Sequence, residues 1–160
     1  MHEGHEQPGP PASPITLGWL ERVSLPEWGI RRLRVKCDTG AKTSAIDIED
    51  VTRIDDDHVR FTVVFDRTHP ERRRTFEAPI VRITRVKSST GETTDRYVVS
   101  TLLRLGRVEK RIEVSLVSRH RMICRMLLGR TALSPEFVVD SSRKYLVKRP
   151  RGSGKSKKEV

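Results

Sequence analysis

The sequence predicts a single, mostly β domain with one short helix near its C-terminal end. Short runs of residues alternate between apolar and polar positions, which is the period of a half-buried strand. Turn signals rich in Gly, Pro and Asp separate these runs, and a sustained 3.6-residue apolar period is almost absent from the sequence. A chain of 160 residues is long enough for one domain with a substantial hydrophobic core.

Extended segments are predicted along most of the chain, beginning at Ile15. They cover residues 15–19, 21–25, 30–37, 45–49, 59–65, 76–86, 97–105, 108–117, 137–140 and 144–147, and residues 122–128 form the densest apolar run. Turns are predicted at 26–29 and at the acidic stretch 55–57, and a mobile polar loop at 87–95. Residues 131–133 are predicted to open the short helix before Pro135.

The two ends of the chain differ from the rest in composition. Residues 1–14 are rich in proline and offer almost nothing to bury, so we predict a disordered arm. Residues 148–160 combine Lys and Arg with Gly and Ser, so we predict a basic disordered tail. The folded domain is therefore expected to span residues 15–147.

The charge balance favours an acidic partner. The net charge is +11 and the isoelectric point about 10.3, which suits an acidic peptide, nucleic acid or an anionic membrane surface and is equally typical of a solvated basic surface. Nucleic-acid binding has no further support, because aromatic residues make up only 5% and are not interleaved with basic ones. No apolar stretch approaches the length of a membrane span, and the N-terminus has no apolar signal region. We therefore expect a cytoplasmic protein that does not bind a membrane.

No metal or cofactor site is predicted. Cys37 and Cys124 lie in apolar runs and are expected to be buried thiols in a reducing compartment, and the histidines lack metal-ligand spacing. The segment 152–156 lacks the first glycine of a phosphate loop. Spacing alone leaves a Ser/His/Asp or Cys/His site open, because the members of such a triad lie far apart in sequence.

Asp38 is the strongest catalytic candidate in the sequence. The predicted strand 30–37 delivers its carboxylate to a turn with Thr39 and Gly40, and Gly40 would allow a positive φ or a close approach of another backbone. Peptide hydrolysis without a metal or a nucleophile works best with two carboxylates that share one proton. Since this chain has one such turn, the second Asp38 would come from a second subunit related by a twofold axis.

Two parts of the sequence together resemble the retropepsins, the retroviral-type aspartic proteases. These parts are Asp38-Thr39-Gly40-Ala41 and the later Leu127-Leu128-Gly129-Arg130. The resemblance implies a closed β-barrel with one short C-terminal helix, and it places the loop at 87–95 roughly where a flap hairpin would come. It also implies a homodimeric aspartic endopeptidase that needs no cofactor.

A closer resemblance covers about residues 15–147. Five spaced motifs are similar to the bacterial retropepsin-like family labelled ATP-dependent zinc proteases, which is associated with RimK-type glutamate ligases of the ATP-grasp class. The motifs are Leu17-Gly18-Trp19, Leu25-Pro26-Glu27-Trp28-Gly29-Ile30, Asp38-Thr39-Gly40-Ala41-Lys42-Thr43-Ser44-Ala45, Met126-Leu127-Leu128-Gly129-Arg130-Thr131-Ala132-Leu133 and Phe137-Val138-Val139-Asp140. The sequence itself has neither a zinc motif nor an ATP motif.

The resemblance assigns roles to the residues of the acid turn, by which we mean residues 38–43. Asp38 would be the catalytic acid, Thr39 would hydrogen-bond across the dimer, and Gly40 would let the two acids approach. Ala41, Lys42 and Thr43 would contact substrate. Leu127, Leu128, Gly129 and Arg130 would support the turn from beneath.

Lys42 departs from the viral pattern, in which an acidic or amide residue usually follows the alanine. A lysine there would favour ionised carboxylates or would bind acidic substrate side chains. Together with the net charge and the association with glutamate ligases, Lys42 leads us to expect glutamate-rich or glutamylated peptides as substrates. The alternatives are a zinc protease and a non-catalytic binding module of retropepsin fold that holds an acidic partner or RNA.

Overall fold

The computed structural model describes residues 13–65, 68–69, 71–118 and 124–148. The strands are β1 Ile15–Gly18, β2 Leu20–Leu25, β3 Ile30–Cys37, β4 Ser44–Asp47, β5 Glu49–Arg53, β6 His58–Val64, β7 Arg73–Lys87, β8 Thr93–Leu105, β9 Val108–Val117, β10 Met126–Leu128 and β11 Phe137–Asp140. The helix α1 is Arg130–Leu133, and a 3-10 turn occupies Pro26–Trp28.

Six strands form a closed barrel, which confirms the predicted fold class. The strands follow the order β2-β3-β10-β4-β9-β8, and Ser24 of β2 pairs with Arg104 of β8 to close the ring. Strands β7, β6 and β5 continue the sheet outward from β8. Closure removes the edges of the six barrel strands, and the long strand β7 pairs with β8 on the outside of the ring.

Alternating apolar residues fill the barrel, as the period-2 pattern of the sequence predicts. Strand β3 illustrates the pattern, since its buried positions are Ile30, Leu33, Val35 and Cys37. Fully buried side chains come from several barrel strands and include Leu25, Val35, Ile46, Val99, Leu103, Met126 and Leu128. Each contributes about 1.5–3 kcal/mol to stability relative to an exposed position.

Three aromatic rings pack together where the outer strands β6 and β7 contact the 3-10 turn. Trp28 of the 3-10 turn lies 5.3 Å from Phe61 of β6 and 5.5 Å from Phe76 of β7, measured between ring centroids. The rings of Phe61 and Phe76 are 5.9 Å apart. Each such pair adds about 0.5–1.5 kcal/mol beyond the area that it buries. The predicted turn at 26–29 therefore contains a short helical turn that presents a core residue.

A second, two-stranded sheet joins the beginning and the end of the described domain. Strand β1 pairs in parallel with β11, with Ile15 opposite Phe137. The segment after β11 returns to the barrel, where the Trp19 amide donates to the carbonyl of Arg143 and the Tyr145 amide to that of Leu20, both at 2.9 Å.

Glu21 explains why the predicted strand at 144–147 is wrong. Its carboxylate is 1% exposed and accepts hydrogen bonds from the amides of Gly18 (2.7 Å), Leu146 (2.9 Å) and Val147 (3.3 Å). The amides of the last two residues are therefore satisfied by one side chain instead of by a neighbouring strand. We call residues 143–147 the C-terminal clasp.

Two other elements differ from the prediction in extent. Strand β5 was not predicted, because its residues are almost all exposed and show no apolar alternation. The polar loop predicted at 87–95 shrinks to the tip of the β7–β8 hairpin, where the Ser88 amide donates to the Glu92 carbonyl at 2.8 Å. Its mobility stays a prediction. The predicted arm and tail lie almost entirely outside the described residues, as does the start of the apolar run at 122–128.

Among the described residues, no helix has the length and apolar content needed to cross a membrane.

Candidate active site

Asp38 follows directly after the last residue of β3, and the barrel holds its backbone. Strand β10 runs parallel to β3 with Leu128 opposite Cys37, and the Asp38 amide continues this ladder by donating to the Leu128 carbonyl at 2.9 Å. The fold therefore brings together the two segments on which the resemblance rests, residues 38–41 and 127–130. The Asp38 side chain is partly exposed, so it is presented at the surface of this chain.

The acid turn is closed by its own backbone. The Gly40 amide donates to Oδ1 of Asp38 at 3.0 Å, and the Ala41 amide donates to the Asp38 carbonyl at 3.2 Å. Gly40 is not among the glycines with positive φ, so a left-handed conformation is not the reason for a glycine here. A Cβ atom at this position would lie 3.2 Å from Oδ1 of Asp38, so the glycine instead permits the carboxylate to approach the backbone.

Gly129 supports the turn from beneath, and its lack of a side chain is a steric requirement. A Cβ atom there would lie 2.7 Å from the carbonyl carbon of Thr43 and 2.8 Å from the carbonyl oxygen of Lys42. The Gly129 amide donates to Oγ of Ser44 at 3.1 Å, and Ser44 is completely buried. Ser44 belongs to one of the sequence motifs but is assigned no role there, because a serine after a turn looks like an ordinary solvent-exposed residue.

The N-terminal end of α1 is tied to the acid turn by four hydrogen bonds. The Arg130 amide donates to the Ala41 carbonyl at 2.8 Å, and Nη1 of Arg130 donates to the Thr39 carbonyl at 3.1 Å. The Thr131 amide and hydroxyl both donate to the Lys42 carbonyl at 3.1 Å. Of these two supporting residues, only Arg130 was assigned a supporting role from the sequence.

The other predicted support residues also lie next to the turn. Leu128 is fully buried beneath it, whereas Leu127 is partly buried and points into a cavity. Thr39 and Lys42 are exposed. Within the described part of the chain the exposed Thr39 hydroxyl makes no hydrogen bond.

The thiol nearest to Asp38 is inert. Cys37 is buried, and burial raises the pKa of its thiol to about 12, with smaller contributions from Glu21 and Cys124. Since the thiolate is the reactive form, Cys37 is a core residue and not a nucleophile.

A cavity of about 340 Å³ opens beside the acid turn, between it and the strands of the β7–β8 hairpin. Its lining includes Ala41, Thr43, Arg82, Thr84, Arg96 and Ser115. Two of the residues predicted to contact substrate are thus at the cavity. The third, Lys42, is not part of the lining.

A second groove, of about 300 Å³, lies on another side of the same turn. Thr39 and Arg130 contribute its polar part, and Leu133, Phe137 and Val138 make most of the rest apolar. Val138 is one of the exposed large hydrophobic side chains, at 48%.

In the described ranges, no group of three or more His, Cys, Asp and Glu side chains is placed to hold a metal ion.

A closed barrel in which one strand delivers an Asp-Thr-Gly turn, held by an apolar-apolar-Gly strand and a short helix, defines a retropepsin-like protein. Residues 16–150 match the family described as RimB-like, retropepsin-like aspartic endopeptidase RimB, and the chain belongs to that family. This membership confirms the resemblance predicted from the sequence.

Similar proteins include longer chains. Proteins named "Probable alpha-L-glutamate ligase" from Desulfotalea psychrophila, Shewanella pealeana and Parasynechococcus marenigrum are 36%, 31% and 33% identical to this chain over 132 residues. The matches cover 78%, 81% and 79% of this chain but 27%, 29% and 28% of the relatives. The chain therefore spans less than a third of the length of these relatives.

A solved structure has the same fold. A protein of unknown function from Legionella pneumophila superposes with a TM-score of 0.70 at 29% identity, covering 85% of this chain and all of that one.

Proposed function

We propose that this protein is an aspartic endopeptidase whose active site forms between two identical subunits, each contributing Asp38. The observation that carries the proposal is the acid turn itself: one partly exposed carboxylate on a rigid, backbone-bonded support. A single carboxylate lacks the partner that metal-free peptide hydrolysis requires. Two copies of the chain supply the two carboxylates. One is ionised and activates water, and the other is protonated and polarises the peptide carbonyl.

The apolar groove supports the choice of a second copy as the missing partner. Strand β11 pairs only with β1 within the described residues, so its other edge is open beside Thr39. An exposed apolar edge strand is a template for pairing with another chain. A twofold axis at this edge would bring two acid turns face to face and give the Thr39 hydroxyls their partners.

The substrate class we propose is glutamate-rich or glutamylated peptides. The net charge of +11 attracts acidic chains, and Lys42 is an exposed cation next to the acid turn. Relatives that contain this domain are named glutamate ligases, which suggests that ligation and removal of glutamate act on the same molecules. A functional link to an ATP-grasp glutamate ligase and a cytoplasmic location belong to this proposal.

The test combines one measurement of mass with one substitution. The native mass of the purified protein should include a dimer, and cleavage of an internally quenched glutamate-rich peptide should fall at least about a hundredfold in Asp38→Asn. Asp56→Asn removes the same charge from an exposed turn and serves as the matched control.

Cleavage that survives in Asp38→Asn, or a strictly monomeric protein that still cuts, would contradict the proposal. Loss of activity in EDTA together with bound zinc would favour a zinc protease.

A non-catalytic binding module is the second candidate, because the relatives are named for ligation and not for hydrolysis. In that case the wild-type protein would bind acidic peptides, leave them intact, and bind them equally well after Asp38→Asn.

A further inference from the structure

Two arginines reach the cavity beside the acid turn from the two strands of one hairpin. Arg82 lies on β7, two residues before Thr84, and Thr84 is paired directly with Arg96 on β8. Residues two apart on a strand share a face, and paired residues on neighbouring strands do so as well. The two guanidinium groups therefore lie on the cavity side of the hairpin, which agrees with the cavity lining.

Arg82 is directly connected to the acid turn. Its Nη2 donates to Oγ1 of Thr43 at 3.3 Å, and Thr43 lines the cavity as well. The bond spans the cavity from the hairpin to the turn. Arg82 therefore contacts the same acid turn that carries Asp38.

A carboxylate of the chain already contacts Arg82. Oε1 of Glu113 lies 3.2 Å from Nε of Arg82, and both side chains are 43% exposed. Glu113 precedes Ser115, a lining residue, by two positions on β9, so the two side chains share one face of the strand. An ion pair this exposed is weak, so a competing carboxylate can displace Glu113.

We propose that Arg82 and Arg96 form a subsite for a glutamate side chain of the bound peptide, in the cavity beside the acid turn, and that Glu113 contacts Arg82 until substrate displaces it. The inference rests on the proposed function and adds the residues that determine its selectivity. Arginine suits the role because its planar group binds a carboxylate through two parallel hydrogen bonds. Glu113 then weakens binding of acidic peptides without being required for it.

The experiment compares two peptides that differ only in charge: one rich in glutamate, and the same peptide with glutamine at every glutamate. The measured quantity is the ratio of their kcat/KM values. Arg82→Gln and Arg96→Gln should each lower this ratio about tenfold, the effect of one charged hydrogen-bonded contact. Glu113→Gln should raise the ratio about threefold, because the competing carboxylate is gone.

Two substitutions control for net charge. The first is Arg85→Gln. Arg85 lies on β7 with its side chain on the face opposite the cavity, is 77% exposed and pairs with Asp95. Glu109→Gln lies on β9, where Glu109 pairs with Arg104. Neither residue lines the cavity, so neither substitution should change the ratio by more than about twofold.

Equal ratios in the cavity variants and the controls would overturn the inference, as would a Glu113→Gln protein that loses preference for the glutamate peptide. The affinity of the Asp38→Asn protein for both peptides, measured by calorimetry, separates this failure from that of the proposed function. If wild type cuts neither peptide while Arg82→Gln still weakens binding of the glutamate peptide about tenfold, the subsite stands and the peptidase proposal fails.

Discussion

Gly129 shows how much of the candidate site depends on the size of one residue. Its φ of −91° and ψ of 177° are extended values that any residue adopts, so the backbone does not need a glycine there. A glycine is required because the neighbouring backbone is close: a Cβ atom added at Gly129 would lie within 2.9 Å of the carbonyl groups of Lys42 and Thr43. Both contacts are with backbone, which cannot rotate away as a side chain would.

Gly129→Ala should therefore destabilise the protein and displace the acid turn. We expect a loss of about 1–3 kcal/mol in the free energy of unfolding, the usual cost of overpacking, measured by urea titration. Peptidase activity should also fall under conditions where the variant remains folded, because Asp38 moves with the displaced backbone. Gly91→Ala is the comparison, since no atom lies within 4 Å there and only the positive φ of 87° adds strain. Equal losses in the two variants would show that the steric contact is unimportant.

Sequence reasoning identified Asp38, Gly129 and Arg130 because they belong to motifs with a fixed order. It did not identify Arg82 and Arg96, and the reason is physical. An arginine at a polar position of an alternating strand looks like any solvated charge, and only strand pairing shows that two of them line one cavity. Register is set by contacts between distant segments, so the sequence of one strand does not contain it.

At the scale of elements, the C-terminal clasp is the feature that ordinary strand patterns conceal. Residues 144–147 have an apolar character typical of a strand, but a buried carboxylate takes the hydrogen bonds of two of their amides. Glu21 was the sequence signal for the clasp, because this acidic residue occupies a position of a predicted strand where the alternation calls for an apolar residue. Strand β5 shows the opposite case, because it pairs with β6 although its pattern is almost wholly polar.

Glu21→Gln should loosen the clasp. A carboxamide keeps one acceptor and turns a donor toward amides that also donate, so we expect a loss of about 2–4 kcal/mol in the free energy of unfolding. Hydrogen exchange at the amides of Leu146 and Val147 should accelerate.

Glu27→Gln is the matched control for the clasp. Glu27 also accepts a backbone hydrogen bond, from the Leu102 amide at 3.0 Å, and pairs with Arg111, but it is exposed. Its loss should cost less than about 1 kcal/mol. If the two variants are equally stable, the buried carboxylate does not hold the clasp.

At the scale of the whole molecule, the barrel and the terminal sheet are arranged differently around the acid turn. The barrel fixes the acid turn through β3 and β10, whereas β11 of the terminal sheet, beside the turn, pairs only with β1 in the part of the chain that the structure describes. The proposed second subunit would cover the other edge of β11, so assembly and catalysis are expected to fail together.

Val138→Lys should separate folding from assembly. The substitution places a charge in the middle of the apolar groove, so light scattering should find monomers, and cleavage should be lost while the thermal melt changes little. Val81→Lys is the matched control, because Val81 is equally exposed at 48% but lies on β7, outside the groove. A Val138→Lys protein that remains dimeric would place the interface elsewhere.

The parallel pairing of β1 with β11 has a consequence for how such an enzyme would be switched on. Each chain completes its terminal sheet with its own two strands, so this sheet does not need a second subunit to form its pairing. Under the proposed mechanism a lone subunit holds half a catalytic centre and is dormant. Activity at low abundance would then rise with roughly the square of protein concentration, so dilution alone would silence the peptidase.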